Sequence, residues 1–321
     1  MINMAKLTTR SKILWPGLVF LIGAFLLTSC SSSSSSKQPS AATNTISESI
    51  VSAPIRVIST SDGQVGYRSI GSGPPIVMIM GFSSSMDGWP PNFVDSLAAD
   101  HEVITFDNSG IGKTSLPTGV LSVGTMANQT NAFIQALHLK HPIVLGWSMG
   151  GMIAQSLAVK FPQDVSKLIL CATLPGNGKA TPPTQAATAA LANPTQATAV
   201  SLLDLLFPPN QQAREIPAFT KEISQYPSFY LASSNVDQLQ LSALGKWFTG
   251  GDGSGRHISD IRAKTLIGDG SNDILIPSQN DYEMNHVIKH SKLVMYPDAG
   301  HGFLFQDANA WSQQILKFIK N

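Results

Sequence analysis

An α/β architecture, a mostly parallel sheet flanked by helices with one inserted helical cap, is predicted by two features of this chain. From about residue 54, short apolar runs alternate with segments of helical periodicity, the pattern of a parallel sheet covered on both faces. That rhythm breaks once, between Cys171 and Ala263, where helix-prone segments punctuated by Pro fill the gap.

The chain opens with a segment outside that core. Lys6, Arg10 and Lys12 precede an uncharged apolar run, 13–27, that ends in Leu27-Thr28-Ser29-Cys30, the layout of a secretory signal peptide. A membrane-spanning helix is the competing reading. Fifteen residues rise only about 22 Å against a hydrocarbon thickness of roughly 30 Å, and Pro16 interrupts them. The Cys at the cleavage edge resembles the lipobox of bacterial lipoproteins. That resemblance implies removal of 1–29, lipid on Cys30, and a body exported and lipid-anchored in the bacterial cell envelope, at the outer membrane or cell surface. Residues 30–53 begin with Cys30 and six serines, then run through Ala, Thr, Asn and Ser; they read as a flexible tether without bulk to pack.

Composition narrows the classes. At 43% hydrophobic and 13% charged over 321 residues, the chain can build one substantial core. Loss of the three basic residues in 1–29 leaves 18 basic against 20 acidic side chains, a net of about −2, which argues against a nucleic-acid partner. With Cys30 lipidated, Cys171 has no intramolecular disulfide partner.

Strands are expected in order at 55–58 and 65–68, an opening hairpin, then at 76–80, Glu102–Phe106, 143–146, 168–171, 265–268 and 293–296. Helices are expected at 92–98, 123–139, Met149–Lys160 and 279–290. Within the insertion, 183–192, 195–207 and 218–226 read as helices, followed by the glycine-rich 250–255. The core therefore covers 54–174 and 263–321, and the cap 175–262, with a helical face of the core as the competing reading.

Gly146-Trp147-Ser148-Met149-Gly150 fits G-x-S-x-G, a weak signal alone because Gly and Ser are common. Its placement is stronger: an apolar strand precedes it, and Met152, Ile153, Leu157 and Ala158 follow with helical spacing. A Ser lifted onto a strained turn exposes its oxygen, and flanking glycines admit close backbone packing. The N–H of Met149, at the helix N-terminus, would face developing negative charge. A second such donor is expected after the 76–80 strand, at the N–H of Phe82 in Gly81-Phe82-Ser83-Ser84-Ser85, with Ser83 as a less favoured direct participant.

A base is sought among His101, His138, His141, His257, His286, His290 and His301. Only His301 lies just beyond the last strand, where a loop at the sheet's carboxyl end can reach Ser148. His286 and His290, four apart on an expected helix, mimic half a metal site but lack an obvious third ligand. For the acid that orients the imidazole, Asp269 and Asp273 compete in Gly268-Asp269-Gly270-Ser271-Asn272-Asp273. Asp273 is favoured because it precedes an apolar run ending in Pro277, while Asp269 is read as lying at the strand edge. The order Ser, Asp, His is the one such a fold uses.

The segment Gly146 through Gln155, with Phe161-Pro162 and 165–170 behind it, resembles the α/β-hydrolase superfamily, specifically its capped serine esterase and non-haem peroxidase-like members, over about 60–318. The resemblance implies Ser148, Asp273 and His301 as catalytic residues and the N–H groups of Phe82 and Met149 as the oxyanion hole. Asp107 through Ser115 resembles that family's structural loop between sheet and nucleophile. Its 110–114 stretch mimics the end of a phosphate-binding loop, but Asp107 stands in the first Gly position and Pro117 follows where a helix should grow, so no nucleotide is expected. Met80 and Trp147 stand where relatives often carry His.

These features imply hydrolysis of a small or medium carboxylic ester through an acyl-enzyme, with no metal or organic cofactor and a small hydrophobic ester-like substrate. Asp-nucleophile chemistries are disfavoured by Ser148. Peroxidase-like, thioester, lactone and amide chemistry share the same three residues, and a non-catalytic ligand-binding lipoprotein is the rival of another class.

Overall fold

The computed structural model describes residues 49–192 and 203–321. Within them the strands are β1 (Arg56–Thr60), β2 (Gly63–Ile70), β3 (Pro75–Ile79), β4 (Glu102–Phe106), β5 (Ile143–Trp147), β6 (Lys167–Cys171), β7 (Lys264–Gly270) and β8 (Ser291–Tyr296). They form one sheet in the order β1-β2-β4-β3-β5-β6-β7-β8. The opening hairpin pairs antiparallel, as does β2 with β4; every later pairing is parallel. The expected strands all form, extended by one or two residues at an end in most cases.

Buried on both faces, the central strands carry no polar alternation: Ile76, Val77, Met78 and Ile79 are all inaccessible to solvent. Helices α1 (Pro91–Ala98), α2 (Val123–Ala136) and α3 (Met149–Lys160) follow β3, β4 and β5. One face packs on α2 and α3 through Phe133, Ile134, Met152, Ile153 and Leu157. The other packs on α1 and the carboxyl-terminal helix through Phe93, Leu97, Trp311 and Ile315.

The insertion between β6 and β7 contains, among the described residues, α4 (Gln185–Ala192), α5 (Gln212–Ile223) and α6 (Ser234–Phe248), then a 3-10 turn at Gly255–Asp260. The helix expected at 195–207 lies partly outside the described residues. That expected at 218–226 starts earlier and contains Pro217. Helix α6 has no counterpart in the sequence reading. Its buried positions, Val236, Gln240, Ala243 and Trp247, recur at helical spacing behind a Ser233 cap, but a Gln in the middle of the buried stripe disguises the periodicity. By packing the insertion divides in two: Phe207, Phe219 and Ile223 form their own cluster, while Ala243, Trp247, Ile258 and Ile261 join the core around α3.

After β7 come α7 (Gln279–Val287), α8 (Phe303–Gln306) and α9 (Ala308–Lys320). Helix α7 stops at Val287 because Ile288 turns extended, so His290 does not share a helix face with His286 as expected, and both are exposed. No described helix is long and apolar enough to cross a membrane.

Trp247 pins the end of α6 to the core. It is inaccessible to solvent, its indole N–H donates to the Leu174 carbonyl at 3.2 Å, and a Cβ on Gly176 would stand 2.5 Å from its ring. Trp247→Ala should lower stability by about 3–5 kcal/mol, read as a reduced urea midpoint with the denaturant slope unchanged.

Candidate active site

Four loops leave the carboxyl ends of parallel strands β3, β5, β7 and β8, with β6 between β5 and β7. Ser148 follows β5, the Gly81–Ser85 loop follows β3, Asp273 follows β7 and His301 follows β8. The register puts Ile79 beside Gly146, Trp147 beside Cys171 and Cys171 beside Gly268, so the strand ends are level and their loops converge.

Ser148 has φ 56° and ψ −122°, a left-handed conformation costing about 1–3 kcal/mol for a residue with a side chain. Its surroundings hold it there. The Ser148 N–H donates to the Cys171 carbonyl at 2.9 Å, and its carbonyl accepts from the Gly151 N–H at 2.9 Å and the Thr173 hydroxyl at 2.8 Å. The flanking glycines are sterically required: a Cβ on Gly146 would lie 2.2 Å from the Gly150 oxygen, and one on Gly150 would lie 2.0 Å from the Ile79 oxygen.

His301 is buried, and its Nδ1 lies 2.6 Å from Oδ2 of Asp273. The other carboxylate oxygen accepts from the N–H groups of Leu275 at 2.7 Å and Ile276 at 2.8 Å, which explains why the acid sits at the head of that apolar run. Trp147, in a position assigned no role by the sequence, donates its indole N–H to the His301 carbonyl at 3.0 Å and lies against the imidazole with centroids 5.2 Å apart. The Leu206 carbonyl accepts from the Gly302 N–H at 2.8 Å, tying the insertion to the His301 loop.

Asp269 stands near the end of β7, fully buried beside the equally buried Asp281 of α7, and accepts from the Gly270 N–H at 2.6 Å. Burial, with the nearby Asp273 carboxylate adding to it, raises both groups well above the usual carboxylate range. Asp273, not Asp269, is the aspartate in contact with His301. Cys171 is also fully buried, and burial pushes its thiol up.

The N–H groups of Phe82 and Met149 meet no acceptor among the described residues, while the loop carrying Phe82 is tightly held. A Cβ on Gly81 would be 3.0 Å from the Trp147 ring and 3.3 Å from the Ser148 Cβ. Ser83, buried at φ 63°, donates its N–H to Oε1 of Gln240 at 2.9 Å and accepts from the Ala232 N–H at 2.6 Å. The Ser85 N–H donates to the Tyr230 carbonyl at 3.1 Å. Residues 228–232 thus form a strap across the loop.

Buried polar groups anchor that strap. The Tyr230 hydroxyl donates to Asp107 at 3.1 Å and the Ser228 hydroxyl to Asp87 at 2.7 Å; Asp87 also pairs with Arg68 at 2.9 Å. Asp107 accepts from the Met86 N–H at 2.8 Å, so the stretch that mimics a phosphate loop serves as an internal brace. Ser148 and His301 share the wall of a cavity of about 990 Å³. Among the described residues no cluster of three His, Cys, Asp or Glu could hold a metal.

Burial raises Asp107 to about 6, above an unfolded-state value of about 3.9. Such a group favours the native state below its unfolded value, and the contribution is lost as pH rises through about 6. The stability of Asp107→Asn relative to the parent should therefore rise between about pH 4 and pH 7, measured by urea unfolding across that range; a pH-independent difference would contradict the linkage.

Comparison with known proteins agrees with this geometry. The family model described as alpha/beta hydrolase fold matches residues 74–308. A Mycobacterium tuberculosis protein with the provisional name non-heme bromoperoxidase BpoC is 29% identical over 262 residues, 79% of this chain and 97% of its own. A 2-hydroxy-6-oxo-2,4-heptadienoate hydrolase of Pseudomonas putida is 23% identical over 268 residues, 82% of this chain and 95% of its own. Among solved structures, an alpha/beta hydrolase fold protein from Chitinophaga pinensis superposes with a TM-score of 0.74 at 26% identity, covering 85% of this chain and 99% of that one. The level strand ends, the strained Ser148 turn and the matched span together make this chain a member of the α/β-hydrolase fold family.

Proposed function

We propose that the protein is a serine hydrolase that cleaves a small or medium carboxylic ester through an acyl-enzyme. The observation that carries this reading is the 2.6 Å Asp273–His301 bond on the wall of a cavity shared with Ser148. Asp273 accepts from Nδ1–H and so leaves Nε2 as the nitrogen free to take the Ser148 proton. The Ser148 oxygen then attacks the ester carbonyl. The resulting oxyanion is received by the N–H groups of Phe82 and Met149, each such donor being worth about 3–4 kcal/mol in comparable sites. His301 returns its proton to the leaving alcohol, and a water activated by the same imidazole releases the acid. Trp147 is a positioning residue in this scheme, because it fixes the backbone of His301.

The same three groups would serve thioester, lactone, amide or peroxidase-like chemistry. A non-catalytic lipoprotein that only binds a ligand has no physical need for the whole set. We also propose that Cys30, outside the described residues, carries the lipid that holds the mature body in the cell envelope. Intact mass of the mature protein should report lipid on an amino-terminal Cys30; a freely soluble product cleaved elsewhere would contradict this.

A serine-directed phosphonate should label the parent and not Ser148→Ala. Absence of labelling in a natively folded parent would favour the binding-protein reading. Asp273→Asn should cut turnover by orders of magnitude through the wrong imidazole tautomer. Asp269→Asn should remain within a few-fold of the parent, each variant being checked by circular dichroism. The reverse ranking would move the acid to Asp269.

A further inference from the structure

The cavity beside Ser148 is larger and drier than short esters require. Its volume of about 990 Å³ stands at the upper end of the roughly 300–1,000 Å³ typical of small-molecule sites. At about 30 Å³ per water-sized group, it accommodates on the order of thirty such groups, many more than an acetyl ester supplies. Its walls come from both parts of the insertion, with Phe219 and Ile223 on α5 and Leu241, Leu244 and Phe248 on α6.

Charge is missing from those walls. No Lys, Arg, Asp or Glu is among the described residues that line the cavity, and His301 is the only ionisable group besides the Tyr226 phenol. Several wall hydroxyls are already committed: Ser84 donates to the Ser85 carbonyl, Thr188 to Thr184, Ser224 to Lys221 and Tyr226 to Trp89. A carboxylate, phosphate or ammonium carried into this space would lose its hydration and find no counter-charge, a desolvation that ordinarily excludes an unpaired ion. An apolar chain loses nothing there and gains with each methylene buried.

The wall continues outward without becoming polar. Phe229 and Leu231, on the strap over the Phe82 loop, line the cavity and remain partly exposed at 36% and 44%. An entering chain therefore meets apolar surface from the solvent edge to the Ser148 turn.

We infer that the site selects uncharged esters of medium-length and longer acyl chains over short ones, and discriminates against substrates bearing a second, ionised group. This inference rests on the hydrolase reading of Ser148 and goes beyond the small or medium esters expected from the sequence. Selectivity arises from the α5 and α6 walls, with Leu244 and Ile223 as the residues that set chain length.

The test uses p-nitrophenyl esters from acetate to dodecanoate, kept below their micelle concentrations, and an octanoate ester with a terminal carboxylate. With about threefold per buried methylene, kcat/KM for octanoate should exceed that for acetate by at least about 100-fold, and the terminal carboxylate should erase most of the gain. Leu244→Trp should lower the octanoate-to-acetate ratio by about tenfold; Ile223→Trp provides a second variant should the first fail to fold. A second arm measures binding of methyl dodecanoate, methyl butyrate and the terminal-carboxylate ester to Ser148→Ala by calorimetry. Tight binding of the long neutral ester alone is expected there. Equal turnover or binding of short and long chains, or of neutral and anionic ones, would overturn the inference. Failure of labelling and turnover with retained long-ester binding would overturn the hydrolase reading and leave the cavity's selectivity standing.

Discussion

The backbone turn at Ser148 is the constraint on which the site depends. A residue with a side chain is held at φ 56°, and the turn survives because β5, β3 and α3 approach so closely that only glycine fits at 146 and 150. The close packing does three things together. It places Ser148 on the cavity wall, begins α3 immediately so that the Met149 N–H meets no acceptor among the described residues, and brings the loop after β3 close to Ser148. A turn of this kind is unstable in isolation and persists because bonds from Cys171, Gly151 and Thr173 over-determine it.

Rigidity around the turn is built from hydrogen bonds and an ion pair anchored on the buried Asp87, Asp107 and Arg68. Asp107, Tyr230, Asp87, Ser228 and Arg68 connect the sheet, the loop after β3 and the strap at 228–232. Asp269 of β7 and Asp281 of α7 are buried side by side, and burial raises both well above the usual carboxylate range. Burying such groups is expensive unless each finds a partner, so they specify one arrangement of loop, strap and sheet. The same insertion supplies the apolar cavity walls, and its end is tied into the core by Trp247. Substrate space and catalytic geometry are therefore mechanically joined through Gln240, Ala232 and Leu206, which bond the loops carrying Phe82 and His301.

Much of this was legible along the chain. The parallel strands read correctly because burial on both faces leaves uninterrupted apolar runs such as 76–79 and 168–171. The placement of Ser148 and His301 at one end of the sheet was legible because each stands just past such a run, and parallel strands carry their following loops at the same end. Legibility failed where burial and polarity conflict. Gln240 broke the apolar stripe of α6, and Pro217 concealed the start of α5. In α9, Ala308, Trp311, Ser312 and Ile315 do carry a helical signal that was available and unused.

What the sequence by itself determined is the class of sheet, the strand, turn and helix order around Ser148, and the short list of residues able to act with it, because all of these are local patterns of apolarity and turn chemistry. Only the tertiary structure shows which of Asp269 and Asp273 contacts His301, since that depends on how the loops after β7 and β8 pack together. It also gave Trp147, Tyr230 and Asp107 their contacts and left the cavity without Lys, Arg, Asp or Glu among its described lining residues. Those properties depend on groups far apart in the chain, whose bonds and desolvation exist only once the sheet, strap and insertion are packed together.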